Sequence, residues 1–377
     1  LVVKGIAGYI VDGLIQRTNK LGEGRGAGCF GFANDEGIVD RISPIIDGGI
    51  SGLPLRMLLS QLTPMKGRCT LEGLQSLPDN AVLVLTRPGR TGLITDVGGI
   101  DFFDVPIVAI GVKENKRVGV GVIHPEKRHF DLATESEELD LSTLKAMSVG
   151  EEREVLRRSN RLGLEFLELS AELPVVDVPE KPPVEYHSDH EWTLPRFEVT
   201  ALDQSLAQQL VEKSIEVGQG REVAVIGEVN GDGKVVTAGK LVAGGMGYVP
   251  SRLLASSVVK VDGKPLREIY ANMVSPNAVV VHTHPGGSGV MHMGDAQAVP
   301  GTWGRPIIAV GHDKDGTIRG ATVLTVMEKL FDLADEDERL SQEFFEARTT
   351  EAETDVRNRK FGIAQEYTNL CKQIEIQ

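Results

Sequence analysis

Near its middle the chain carries a charged stretch, residues 174–195, that holds Pro174, Pro179, Pro182, Pro183 and Pro195. A fixed φ and a missing N–H at each proline keep a long helix or a central strand from crossing it, so it reads as a linker. It divides the 377 residues into two units, each long enough to bury a core. Hydrophobic residues make up 41% and charged residues 25%, which excludes a mostly disordered chain. The net charge of −14 excludes non-specific adhesion to nucleic acid or to an anionic membrane surface. Cys29, Cys69 and Cys371 are scattered, with no C-x-x-C pair, so neither a disulfide framework nor a cysteine zinc knuckle is supported. Reduced, cytoplasmic conditions are expected, with Cys29 and Cys69 as small buried apolar residues. No apolar run reaches the ~18–20 residues of a membrane span, and no signal segment opens the sequence given. Neither a sequence repeat nor a low-complexity tract is visible.

The expected fold class is α/β (α+β). Residues 1–148 read as a glycine-rich α/β domain, with a helix over about 6–21 (Ile10, Leu14 and Leu21 on one side) and strands at 81–85, 105–112 and 118–123. Residues 149–195 read as a helix, with Val155, Leu162, Phe166, Leu169 and Leu173 at helical spacing, followed by the linker. In 196–330 the order of elements is more legible. A cap at Thr200–Asp203 opens a helix with Leu202, Leu206, Leu210 and Ile215 on one face. A strand at 222–229 turns through Gly231-Asp-Gly233 into a return strand at 235–242. A short strand at 258–261, a short helix at 266–273 and a buried strand at 278–284 follow. Strands at 307–310 and 318–323 are joined by the turn Asp313–Gly316. Residues 331–377 are charged and read as two helices, packed on the body or on a second copy in a homodimer.

The stretch that carries chemistry is His282-Thr-His284-Pro-Gly-Gly-Ser-Gly-Val-Met-His292-Met-Gly-Asp295. His282 and His284 follow three valines of an expected strand. Side chains two apart on a strand share a face, so the imidazoles converge while Thr283 points away. A reversal through Pro285-Gly286-Gly287 can return Asp295 to them. Two imidazoles and a carboxylate suit zinc, with a fourth position left open.

This pattern resembles the JAMM/MPN+ zinc metalloprotease motif: an upstream Glu, then His-x-His, seven residues, Ser, two residues, Asp. The resemblance covers about 200–325, where the order of elements also fits the MPN fold, a mixed sheet flanked by helices; it does not extend to 1–195. It implies zinc held by His282, His284 and Asp295. Glu222 stands at the family's catalytic Glu position and would take a proton from the attacking water and pass it to the leaving amine. Glu228, at the far end of the same strand, is the alternative. His292 stands where the family has Ser, the donor to the developing oxyanion. Its imidazole could donate instead, act as a further metal ligand, or be inert; Ser288 is off the family spacing. The implied activity is a zinc-dependent peptidase or isopeptidase. Its substrate would be an amide bond in a protein or peptide tail, such as that of a ubiquitin-like or sulfur-carrier protein. The alternatives are a non-catalytic MPN-type scaffold that retains zinc and a metal-dependent hydrolase of a small amide metabolite.

Weaker signals have plainer readings. Gly26-Ala-Gly28-Cys-Phe-Gly31 fits G-x-G-x-x-G but follows an expected helix instead of a strand, so a dinucleotide site fails its context. His124-Pro-Glu126 lacks the downstream P-C-x-x-C of zinc deaminases. Asp96, Asp101 and Asp104 read as turn-forming acids, and His187-Ser-Asp-His190 as solvated linker.

Overall fold

The computed structural model describes residues 1–50, 52–93, 97–186, 188 and 192–377. Its first half runs β1 (Gly5–Ala7), α1 (Gly8–Leu21), β2 (Ala27–Ala33), β3 (Ile38–Ile42), β4 (Ile46–Asp47), α2 (Leu55–Leu59), α3 (Thr70–Leu74), β5 (Ala81–Pro88), α4 (Val97–Phe103), β6 (Ile107–Lys113), β7 (Lys116–Ile123), α5 (Lys127–Lys145), α6 (Val149–Glu168), β8 (Ala171–Glu172) and β9 (Val175–Val176). The second runs β10 (Ala201–Leu202), α7 (Gln204–Val217), β11 (Val223–Val229), β12 (Lys234–Thr237), β13 (Val242–Ala243), α8 (Ser251–Ser256), α9 (Leu266–Glu268), β14 (Ala278–Pro285), α10 (Met293–Ala296), β15 (Ile307–His312), β16 (Ile318–Leu324), α11 (Glu328–Glu346), α12 (Thr350–Leu370) and β17 (Lys372–Ile376).

The two lists correspond element by element, so the fold is a tandem repeat that the sequence does not display. In each half one parallel pair lies at the sheet centre, β5–β6 and β14–β15. In each half the first strand pairs in parallel with the third strand and with the last, β1 with β3 and β9, β10 with β12 and β17. In the second half the β11–β12 pairing closes the sheet into a barrel. In the first half the segment equivalent to β17 is split around Pro174 into β8 and β9, which pair with β7 and β1 at opposite ends of the sheet path. Proline has no N–H to give to the ladder.

Several expectations are corrected. The stretch after Gly26, read only as glycine-rich turns, forms the buried strand β2. A Cβ at Gly28 would strike the side chain of Leu53 and the carbonyl of Val84, and one at Gly31 would strike Val39, so glycine is required for close packing. The return strand at 235–242 is broken into β12 and β13, and 258–261 is a turn. The charged C-terminal segment ends in a strand, β17, inserted between β10 and β16. The linker lies on the body: Val184 donates to the Ile42 carbonyl, and Leu194 is buried and donates to Glu72. Glu72, fully buried, also takes the Cys69 N–H and faces Arg196. Among the described residues no helix is long and apolar enough to cross a membrane.

The halves dock reciprocally. Arg56 of α2 and Arg252 of α8 are buried, and each donates to two carbonyls of the loop beyond its own helix, Met65 and Arg68 for one, Val261 and Lys264 for the other. Each then reaches the helical hairpin of the other half. Arg56 meets Asp335, while the N–H groups of Arg56 and Met57 cap onto Glu338. Arg252 meets Thr134, while the N–H groups of Arg252 and Leu253 cap onto Glu137. A shared apolar core fills the space between, where Trp303 stacks on Tyr270 at 4.3 Å and meets Phe102 of the first half at 5.5 Å. Arg252 also holds buried Asp101 at 2.6 Å across the junction. Removing one member of a buried pair leaves the other charge uncompensated. Arg252→Ala is therefore expected to destabilise the chain by about 3–5 kcal/mol, read as a lower urea midpoint; a loss under 1 kcal/mol, the scale of an exposed ion pair, would show that the junction does not depend on it.

Candidate metal centre

β14 lies between β11, antiparallel, and β15, parallel, with His282 opposite both Ala224 and Ala309. The strand is therefore held on both edges, and its alternation sends His282 and His284 to one face. Thr283 points to the other face, where its hydroxyl accepts the Val223 N–H at 3.0 Å and faces Ser214, which in turn meets buried His312. Glu222 immediately precedes β11. Its N–H donates to the Gly245 carbonyl at 2.9 Å, and its carbonyl accepts from Gly244 at 2.8 Å, so the backbone beneath the carboxylate is pinned twice.

Beyond Pro285 the chain reverses with Gly286 and Gly289 in the left-handed region at φ 76° and 80°. Buried Met291 anchors the return, and Asp295 sits in the first turn of α10, accepting the His292 N–H at 2.9 Å. Its two carboxylate oxygens lie 3.4 Å from His282 Nε2 and 3.5 Å from His284 Nε2. Ligand atoms of Glu222, His282 and His284 all fall within 4.8 Å of one another, and these residues can hold a metal ion. The sequence assigns Asp295 as ligand and Glu222 as base; the structure brings all four residues together and puts Glu222 close enough to ligate as well.

The tautomer of His282 follows from its partner. Nδ1 faces the Ile308 carbonyl at 2.9 Å, which can only accept, so Nδ1 carries a proton and Nε2 is left to face His284 Nε2 at 2.8 Å. A carbonyl that holds Nδ1–H in this way turns Nε2 of a histidine towards a metal. Burial opposes the charged form of His282, yet the Asp295 and Glu222 carboxylates raise its pKa above the ordinary imidazole value. Burial likewise opposes the charged form of Asp295, but the two histidines hold its carboxyl far below the usual carboxylate range. Burial pushes Glu222 upward, against the pull of His282 and His284.

His292 is exposed at the rim, its ring parallel to His284 with centroids 6.0 Å apart. Ser288 is exposed, and Glu228 is exposed at the far end of β11. The other sequence candidates have structural roles. Asp101 pairs with Arg252, and Asp104 closes α4 with a left-handed φ of 52°. His124 accepts the Val3 N–H at 2.9 Å, and Cys29 and Cys69 are fully buried. Asp96, His187, Asp189 and His190 lie outside the described residues. The sequence reading missed Ser214 and His312, which support Thr283 from a helix and a neighbouring strand; the apolar run before His312 is the one local signal. It also missed Arg221, buried with its Nε on the Gly244 carbonyl. No family model, curated protein or solved structure matches the chain.

Because both imidazoles must be neutral to coordinate, affinity should fall on acidification. The raised pKa of His282 places the start of that fall above the ordinary imidazole range. Elemental analysis should find about one divalent ion per chain, lost in His282→Ala and His284→Ala and kept in His292→Ala. Full occupancy in His284→Ala would reject the centre.

Proposed function

We propose that the second half is a zinc-dependent peptidase or isopeptidase with an MPN-type arrangement, cleaving an amide bond in a protein or peptide tail of the ubiquitin-like kind. The observation that carries this reading is the meeting of Glu222, His282, His284 and Asp295 at the end of one buried strand, with His284 and Asp295 partly open to solvent. Two nitrogen donors with a preset tautomer and adjoining carboxylates fit zinc. Zinc at such donors supplies a Lewis acid for a carbonyl and makes water acidic near neutral pH.

The chain's own groups supply the remainder. Glu222, made more basic by burial, takes a proton on a carboxylate oxygen and delivers it to the leaving nitrogen. The double backbone anchor at Gly244 and Gly245 fixes the point on the chain from which that carboxylate reaches towards the histidines. His292, at the rim beside His284, offers an N–H to the substrate carbonyl oxygen, the task the resembled family gives to Ser. A second reading, a metal-holding scaffold without catalysis, draws on the exposure of that same His292.

Hydrolysis of ubiquitin-like fusion substrates separates the two. Glu222→Gln should retain metal and lower kcat by about 10²–10⁴. His292→Ala should lower kcat more than it changes KM, by up to about 10²–10³, with His292→Ser restoring activity. A fully loaded wild type no faster than Glu222→Gln on every substrate would leave the scaffold reading.

A further inference from the structure

The repeat supplies an internal control for its own surface helices, and α6 and α12 are one such pair. Both start on a hydroxyl cap: Ser148 accepts the Glu151 N–H at 3.3 Å, and Thr349 accepts the Ala352 N–H at 3.2 Å. Counted from these caps the inward residues coincide, Val155 with Val356, Leu162 with Ile363 and Phe166 with Tyr367, and all six pack on a core. The outward residues differ. Val149, Leu156 and Leu164 of α6 are 63%, 61% and 60% exposed, whereas Thr350, Arg357 and Gln365, also exposed, take those places in α12. The same exposed backbone positions thus carry opposite polarity in the two halves.

Val149, Leu156 and Leu164 follow one another at close to two helical turns, so they form one line about 22 Å long. A single exposed apolar side chain, such as Phe361 on α12, needs no explanation; an aligned set on one helix marks a contact surface. From Val149 to Arg161 every residue is exposed except half-buried Val155, so most of the circumference of this stretch faces solvent.

The charges name the occupant. Glu151, Glu152 and Glu154 stand early in α6, and Arg157, Arg158 and Arg161 follow them. A uniformly acidic partner would meet the carboxylates and a uniformly basic one the arginines, so a segment that changes sign along its length fits best. α6 is itself such a segment. Its carboxylates and arginines nearly balance within a chain of net charge −14, so a second copy meets little like-charge repulsion here. Laid antiparallel about Leu156, one helix sets Glu154 near Arg158 of the second copy and Glu151 near Arg161, and symmetry repeats both pairs. In the same register Val149 falls beside Leu164 and Leu156 beside its own equivalent. A parallel copy would set like charges side by side.

We propose that α6 is the contact surface of a homodimer, packed antiparallel on α6 of a second copy across a twofold axis near Leu156. α6 carries no residue of the metal centre, so association here is independent of what the second half catalyses.

Sedimentation of the chain across a concentration series tests it. A pair of helices buries an area at the low end for specific association, so the dimer should form at about 10–100 µM. Leu156→Arg installs the residue that α12 carries at the equivalent exposed place. It should weaken the dimer tenfold or more and leave the urea midpoint unchanged, about tenfold being the scale of one lost apolar anchor. Glu154→Arg and Arg158→Glu should each weaken self-association, and an equimolar mixture of the two should recover the wild-type strength, because each then meets its opposite charge. A monomer up to about 300 µM, a Leu156→Arg dimer of wild-type strength, or a mixture no stronger than either variant alone overturns the proposal.

Discussion

One hydroxyl on the underside of β14 organises the metal centre. Thr283 accepts the Val223 N–H and so locks the start of β11 against the end of β14. That lock is what puts Glu222, one residue before Val223, beside histidines sixty positions further along the chain. A buried N–H left without an acceptor costs about 1–3 kcal/mol, so the contact resists opening. The first half repeats it with Thr86 and Ala27, although the chemistry above has been replaced. The scaffold beneath the site is thus separable from the site's function.

The same repeat explains how the chain holds together. Each half buries one face of its sheet under its own helices and offers its helical hairpin to the other half. Arg56 and Arg252 perform equivalent tasks at the two ends of a pseudo-twofold junction, each bonded to carbonyls at home and to side chains across the junction. Glu338 and Glu137 accept paired N–H groups at the start of α2 and α8, where the positive end of a helix favours a carboxylate. This is the isologous logic of a homodimer, carried out within one chain. The junction contacts do not involve Glu222, His282, His284 or Asp295.

The two sites then diverge by a few side chains on a common frame. Gly26 takes the place of Glu222, Leu85 that of His282 and Arg87 that of His284. A cleft lined by leucines stands where the second half has a cluster that can hold a metal ion.

From residues alone, the convergence of His282 and His284 follows, because a strand has a period of two and three valines declare the strand. The return of Asp295 follows from Pro285, Gly286 and Gly287, which can only make a turn. The helix at 204–217 was legible from Asp203 and the leucine spacing, and the strands 307–312 and 318–324 from their apolar runs and the Asp313–Gly316 turn. The repeat was not legible. Its equivalences are carried by backbone hydrogen bonds and by positions such as Thr86 and Thr283, while the residues around them differ. Nor was β2, since Gly28 and Gly31 look like turn residues until Leu53, Val84 and Val39 are seen pressed against them. Strand β17 was hidden in a charged segment because only Ile374 and Ile376 of its five residues pack on the core. The sequence by itself named Glu222, His282, His284 and Asp295 as candidates, the two histidines by strand periodicity and the full set by resemblance. Only the tertiary structure decided that these residues meet, that the first half repeats the frame beneath them, and that a cleft stands at the equivalent place, because those relations are set by pairing between strands far apart in the chain.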